Sequence, residues 1–116
     1  MHRYQNTEIY YNGLQEAQTL YRKMANDPRL TGNQQKRHRR VALIAKILED
    51  HLAINDDGSA SISLETILET ARQEGISHGL SDYNLKKYIR EIFGRSRYHY
   101  IIKINPENRQ ADIYPR

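Results

Sequence analysis

The densest chemistry in this chain is positive charge. Lys36-Arg37-His38-Arg39-Arg40 puts four cations and a histidine into five residues. Ammonium and guanidinium groups at that density suit phosphate oxygens, which they meet through charge-assisted hydrogen bonds. Groups for covalent or acid–base work find little support. The histidines at 2, 38, 51, 78 and 99 show no metal-ligand spacing such as His-Glu-x-x-His, and there is no glycine-rich phosphate loop. Glu49-Asp50 and Asp56-Asp57 are adjacent pairs, which diverge on a helix or cap turns. Tyr98-His99-Tyr100 offers a hydroxyl beside a base, but strand alternation sends His99 to the opposite side from both tyrosines. There is no cysteine, hence no disulfide, thiolate ligand or cysteine nucleophile. The residue types point to holding an anion, without catalysis, cofactor or metal.

The layout of charge sharpens this. The net charge is +4 over 116 residues, with a pI near 9.4. Residues 29 to 46 carry six cations, from Arg29 to Lys46, and no acid. Residues 47 to 75 carry seven acids against Arg72 alone. Residues 76 to 116 return to excess positive charge, with eight cations and four acids. Segregation of this kind presents a basic face to a polyanion and an acidic face to water. The length suits one hydrophobic core. No apolar run reaches the roughly 18 to 20 residues that span a bilayer, so no membrane association is expected. Met1 to Asn6 has no apolar stretch behind it and does not read as a secretory signal. A cytoplasmic protein is expected.

These groups must be positioned by elements legible from periodicity. Tyr10, Leu14, Ala17, Tyr21 and Met24 recur at helical spacing, and Asn12-Gly13 interrupts them. The helix is therefore expected to start near Gly13, with residues 8–11 extended. Asp27-Pro28 and Thr31-Gly32-Asn33 break the chain. A second helix is predicted from about Asn33 to Ile54, with Val41, Ile44, Leu48 and Leu52 inward and the basic run in its first turns. Asn55 to Gly58 reads as a turn and Ser59 to Ser63 as a short strand. Ser63 is expected to cap a helix over Leu64 to Glu74, closed by Gly75 in a left-handed cap. Ser81 is expected to cap another over Asp82 to Phe93. The period then changes to two. Tyr98, Tyr100, Ile102 and Ile104 alternate with His99, Ile101 and Lys103, and Asn105 to Gln110 is turn chemistry before a strand at Ala111 to Tyr114.

The order from residue 33, helix, short strand, helix, turn, helix, hairpin, resembles the winged helix-turn-helix DNA-binding domain. Ala71 four residues before Gly75 resembles the small residue and turn glycine that let the two helices of that motif approach. The turn at residues 76–80 is longer than the compact version. The resemblance implies a mainly α fold with a small β-hairpin, a winged helix-turn-helix domain at 29–116 preceded by an N-terminal helical segment at 1–28. It also implies that the helix after the turn enters the major groove. Its outward residues would be Tyr83, Asn84, Lys86, Lys87 and Arg90. Asparagine pairs with adenine, and arginine or lysine reaches guanine. Arg97, Lys103 and Arg109 would belong to the wing, and Lys36, Arg37, Arg39 and Arg40 would clamp phosphates.

The expected function is sequence-specific binding of double-stranded DNA by a small transcriptional regulator or a replication or partition factor of a mobile element. The alternative is a winged domain serving as a protein-interaction module in a larger complex. RNA binding would want exposed aromatics for stacking, for which Tyr83 and Tyr114 are the candidates. The apolar stripe of residues 1–28 either packs back on the domain or pairs with a second copy; self-association through it, and hence a homodimer, is expected.

Overall fold

A computed structural model describes residues 2–76, 78–94 and 100–115 of the chain. It is mainly helical, with a small antiparallel sheet. The first helix, α1 (His2–Ala25), runs straight through Gly13 instead of starting there. A glycine inside a helix costs about 1 kcal/mol. Against that, Tyr10, Leu14, Ala17 and Tyr21 are buried along one side, and a large apolar side chain gains roughly 1.5–3 kcal/mol on full burial. Tertiary burial wins. The second helix, α2 (Gly32–His51), folds back along α1, so that Tyr21 meets His38 and Gln18 meets Glu49. Thr31 and Gln34 close its start with a reciprocal capping box.

The α2 helix stops three residues short of Ile54. Leu52 turns extended at its C-cap, and the next residues form β1 (Ala53–Ile54), paired with β2 (Ala60–Ser63). The cause lies in the turn between them. Gly58 has φ +87°, Asn55 N–H donates to the Ser59 carbonyl, and the Asp57 carboxylate accepts from Ser59 N–H and Oγ. That closed turn draws residues 53–54 into pairing.

Next come α3 (Leu64–Gln73) and α4 (Asp82–Gly94). Ser63 stands at the start of α3 but its side chain makes no capping bond. The Leu64 N–H is instead taken by the carbonyl of Arg109. At the other end Gly75 adopts φ +86°, Gly75 N–H reaches the Arg72 carbonyl and Ile76 N–H the Ala71 carbonyl. This is a Schellman closure, and Ala71 is fully buried. The hairpin of β3 (Tyr100–Asn105) and β4 (Gln110–Pro115) follows, and β4 also pairs with β2, giving the sheet order β1-β2-β4-β3.

Helices and sheet share one core. Tyr10 and Leu14 of α1 join Ile44 and Leu48 of α2, Ile67 of α3, Ile89 and Phe93 of α4, and Ile113 of β4. The Tyr10 hydroxyl lies within hydrogen-bond reach of the Gly58 and Ile113 carbonyls, tying α1 to the sheet. Burial pushes its pKa up. Tyr10, Leu14, Ala17 and Tyr21 of the apolar stripe in residues 1–28 are therefore packed into the chain's own core. No helix among the described residues is long and apolar enough to cross a membrane.

Removal of residues 1–25 should accordingly abolish cooperative unfolding, and Tyr10→Phe should cost about 1–3 kcal/mol through the carbonyl that loses its donor. Urea denaturation followed by circular dichroism reads both. A truncated chain that still unfolds in one sharp transition would show that α1 is an accessory to the core.

Candidate nucleic-acid interface

The α4 helix presents the best-defined polar face. The Ser81 hydroxyl accepts the Asn84 N–H and fixes its start. Leu85, Ile89, Ile92 and Phe93 are buried beneath it. Tyr83 is 77% exposed, Lys87 and Arg90 are exposed, and Lys86 and Asn84 are half-buried. The five positions expected to face outward thus share one helix, and none of the three cations is in an ion pair among the described residues.

The acids of α4 are both occupied. Asp82 receives two bonds from the Arg109 guanidinium, at 2.7 and 3.2 Å. A third from Arg109 reaches Glu65 at the start of α3, at 2.6 Å. Hydrogen bonding from Arg109 holds the Asp82 carboxyl below its ordinary range. Arg109 sits at φ +50°, an arrangement that costs a side-chain-bearing residue about 1–2 kcal/mol. Its carbonyl on Leu64 and its guanidinium on two carboxylates hold it there. Glu91 is gripped by Arg37 through two bonds, at 2.6 and 3.2 Å, and accepts the Tyr21 hydroxyl at 2.7 Å. The Arg37 guanidinium also lies 5.4 Å from the Tyr88 ring centroid.

These contacts sort the basic residues by role. Arg37 and Arg109, expected as phosphate contacts, are bound to carboxylates of the chain itself. Arg40 donates one N–H to the Tyr88 hydroxyl at 3.2 Å, which brings the basic turns of α2 beside α4. Lys36 and Arg39 are exposed. Lys103 stands on the outer face of the sheet, opposite Asp112 and 5.9 Å from the Tyr114 ring centroid. Arg97 lies outside the described residues, as do Tyr98 and His99. The structure brings Lys36, Arg39 and Arg40 together with one residue the spacing did not single out, His78, which lines a cleft with them. A lone histidine in a turn carries no sequence signal. Among the described residues no cluster of three or more His, Cys, Asp or Glu is placed to hold a metal ion.

No known protein family, curated protein or solved structure matches this chain.

The Arg109 clip has a measurable signature. Because Asp82 is held below its ordinary value of 3.8, its contribution to stability is complete above that pH and fades as pH falls through the lowered value. Arg109→Ala should return the Asp82 carboxyl towards 3.8 in an NMR titration and shift the amides of residues 64 and 82. An unchanged Asp82 titration would mean that the clip is absent in solution.

Proposed function

We propose that this chain binds double-stranded DNA without catalysis, as a winged helix-turn-helix protein with α4 in the major groove. One observation carries the reading. Both carboxylates of α4 are neutralised by arginines from elsewhere, so Lys86, Lys87 and Arg90 leave the helix with uncompensated positive charge. An ordinary solvated helix needs no such arrangement. The element order supports the fold assignment, as does the pairing of β2 with the returning strand β4 of the hairpin. Lys36, Arg39 and Arg40 add charge beside α4, where phosphates flanking a groove would lie. Asn84, at the N-terminal half of α4, suits an adenine edge. The role that fits is a transcriptional regulator or a replication or partition factor acting in the cytoplasm.

The protein-interaction reading is favoured by a different surface. Ile101 and Tyr114 are cross-strand partners on the outer face of the sheet, 39% and 37% exposed. They are two residues beside a lysine, a small patch for a protein interface.

Titration of duplex binding with salt decides between the two. Four to six phosphate contacts from Lys36, Arg39, Arg40, Lys86, Lys87 and Arg90 predict a slope of about −4 to −5 for log affinity against log salt. Lys87→Gln should flatten the slope by about 1, and Asn84→Ala should relax selectivity at one position by about 1–3 kcal/mol. Arg37→Gln should lower the melting temperature. A slope near zero, or no duplex binding at low salt, contradicts the proposal.

A further inference from the structure

The basic turns of α2 do not simply face solvent. Lys36, Arg39 and Arg40 form one wall of a cleft whose other wall is the connection from α3 to α4, at Gly75, Ile76 and His78. The cleft holds about 220 Å³. Small-molecule pockets run from roughly 300 to 1,000 Å³, so this one fits a single polar group with a few waters.

Its cations are partly arranged in advance. The Arg40 guanidinium is fixed on one side by the Tyr88 hydroxyl. The bonding nitrogen, Nη1, also packs against Gly79, where an added Cβ would clash with it. Gly79 also has φ +75°, a conformation that suits glycine. The glycine thus serves two ends, the turn itself and the seat of the guanidinium. Gly75 and Ile76 spend their N–H groups on closing α3, so the donors facing the cleft are side chains: Lys36, Arg39, Arg40 and the His78 ring. Among the described residues no carboxylate lines it. Glu74 lines an adjoining cleft instead, with Arg22, Arg39 and Lys46. Three cations converging without a carboxylate among the described lining residues repel one another, and an oxyanion with several acceptor oxygens relieves that repulsion.

We infer that the cleft between Lys36, Arg39, Arg40 and His78 is a seat for one phosphate group. This deepens the duplex-binding proposal, on which it rests for a backbone ligand, by giving one phosphate a built seat; the cleft asks only for the phosphate, whether it projects from a nucleic-acid backbone or from a small phosphorylated molecule. The size of the cleft leaves the rest of the ligand outside.

The test is an amide NMR titration of the full chain with inorganic phosphate, matched against chloride at equal ionic strength. Phosphate should give saturable shifts at residues 36–40, 75, 76, 78 and 79. The doubly substituted chain Lys36→Gln/Arg39→Gln, altered only at exposed side chains, should keep its spectrum and bind phosphate about tenfold more weakly or worse. Lys87→Gln, outside the cleft, should bind phosphate as before. A short duplex then identifies the source. If it shifts the same amides and the double substitution weakens it, the backbone supplies the phosphate. If it binds both chains alike and leaves those amides unmoved, the site serves a small phosphorylated molecule. Shifts that do not saturate, that chloride reproduces, or that survive the double substitution overturn the inference. In that case, duplex binding by α4 would still be read independently from the duplex arm.

Discussion

Glu91 joins three helices through one carboxylate. Its oxygens accept the Arg37 guanidinium from α2 and the Tyr21 hydroxyl from α1. Side chains there are one-fifth to one-third exposed, so water screens the pair only in part. Leaving such a charge without its partner costs more than the pair itself contributes. The consequence reaches the surface. With Glu91 turned inward against Arg37, the solvent side of α4 keeps Lys87 and Arg90 and loses an acid. Tyr21 makes α1 a participant in that arrangement, although α1 lies outside the segment proposed to bind DNA.

At the other end of α4 the hairpin tip does the same work. Arg109 accepts a left-handed backbone and in return bridges Asp82 and Glu65, while its carbonyl caps α3. The tip is thereby docked on the starts of α3 and α4. A hairpin tip so placed positions the face of α4 more than it extends it. Two arginines that look like ligand groups in the sequence are thus bound to the chain's own carboxylates, and the described candidates left over are Lys86, Lys87 and Arg90 on α4, Lys36, Arg39 and Arg40 beside them, and Lys103 on the sheet.

Local chemistry was legible and long-range chemistry was not. Gly75 and Ser81 mark their helix ends because a left-handed cap and a hydroxyl cap act within a few residues. The hairpin followed from alternation. The start of α1 did not, because what carries the helix through Gly13 is a core assembled from distant residues. The strand β1 was hidden for the same reason, since its pairing depends on a turn that helical periodicity cannot see. Arg37 and Glu91 are 54 residues apart, and Arg109 and Asp82 are 27 apart. No spacing rule links such pairs, so the sequence shows only basic residues where the structure distinguishes clips from free charge. His78 was invisible because its neighbours in the cleft come from α2.

The claim that the free cations of α4 face the nucleic acid is tested most directly by mapping where a duplex touches the chain. Side-chain and amide NMR shifts, recorded on addition of a short duplex at low salt, should concentrate on residues 83–90 of α4 and on the first turns of α2. The outward face of α1, around Gln15, Glu16 and Thr19, should stay unchanged. A footprint on α1 or on the outer sheet around Ile101 and Tyr114, with α4 silent, would contradict the account.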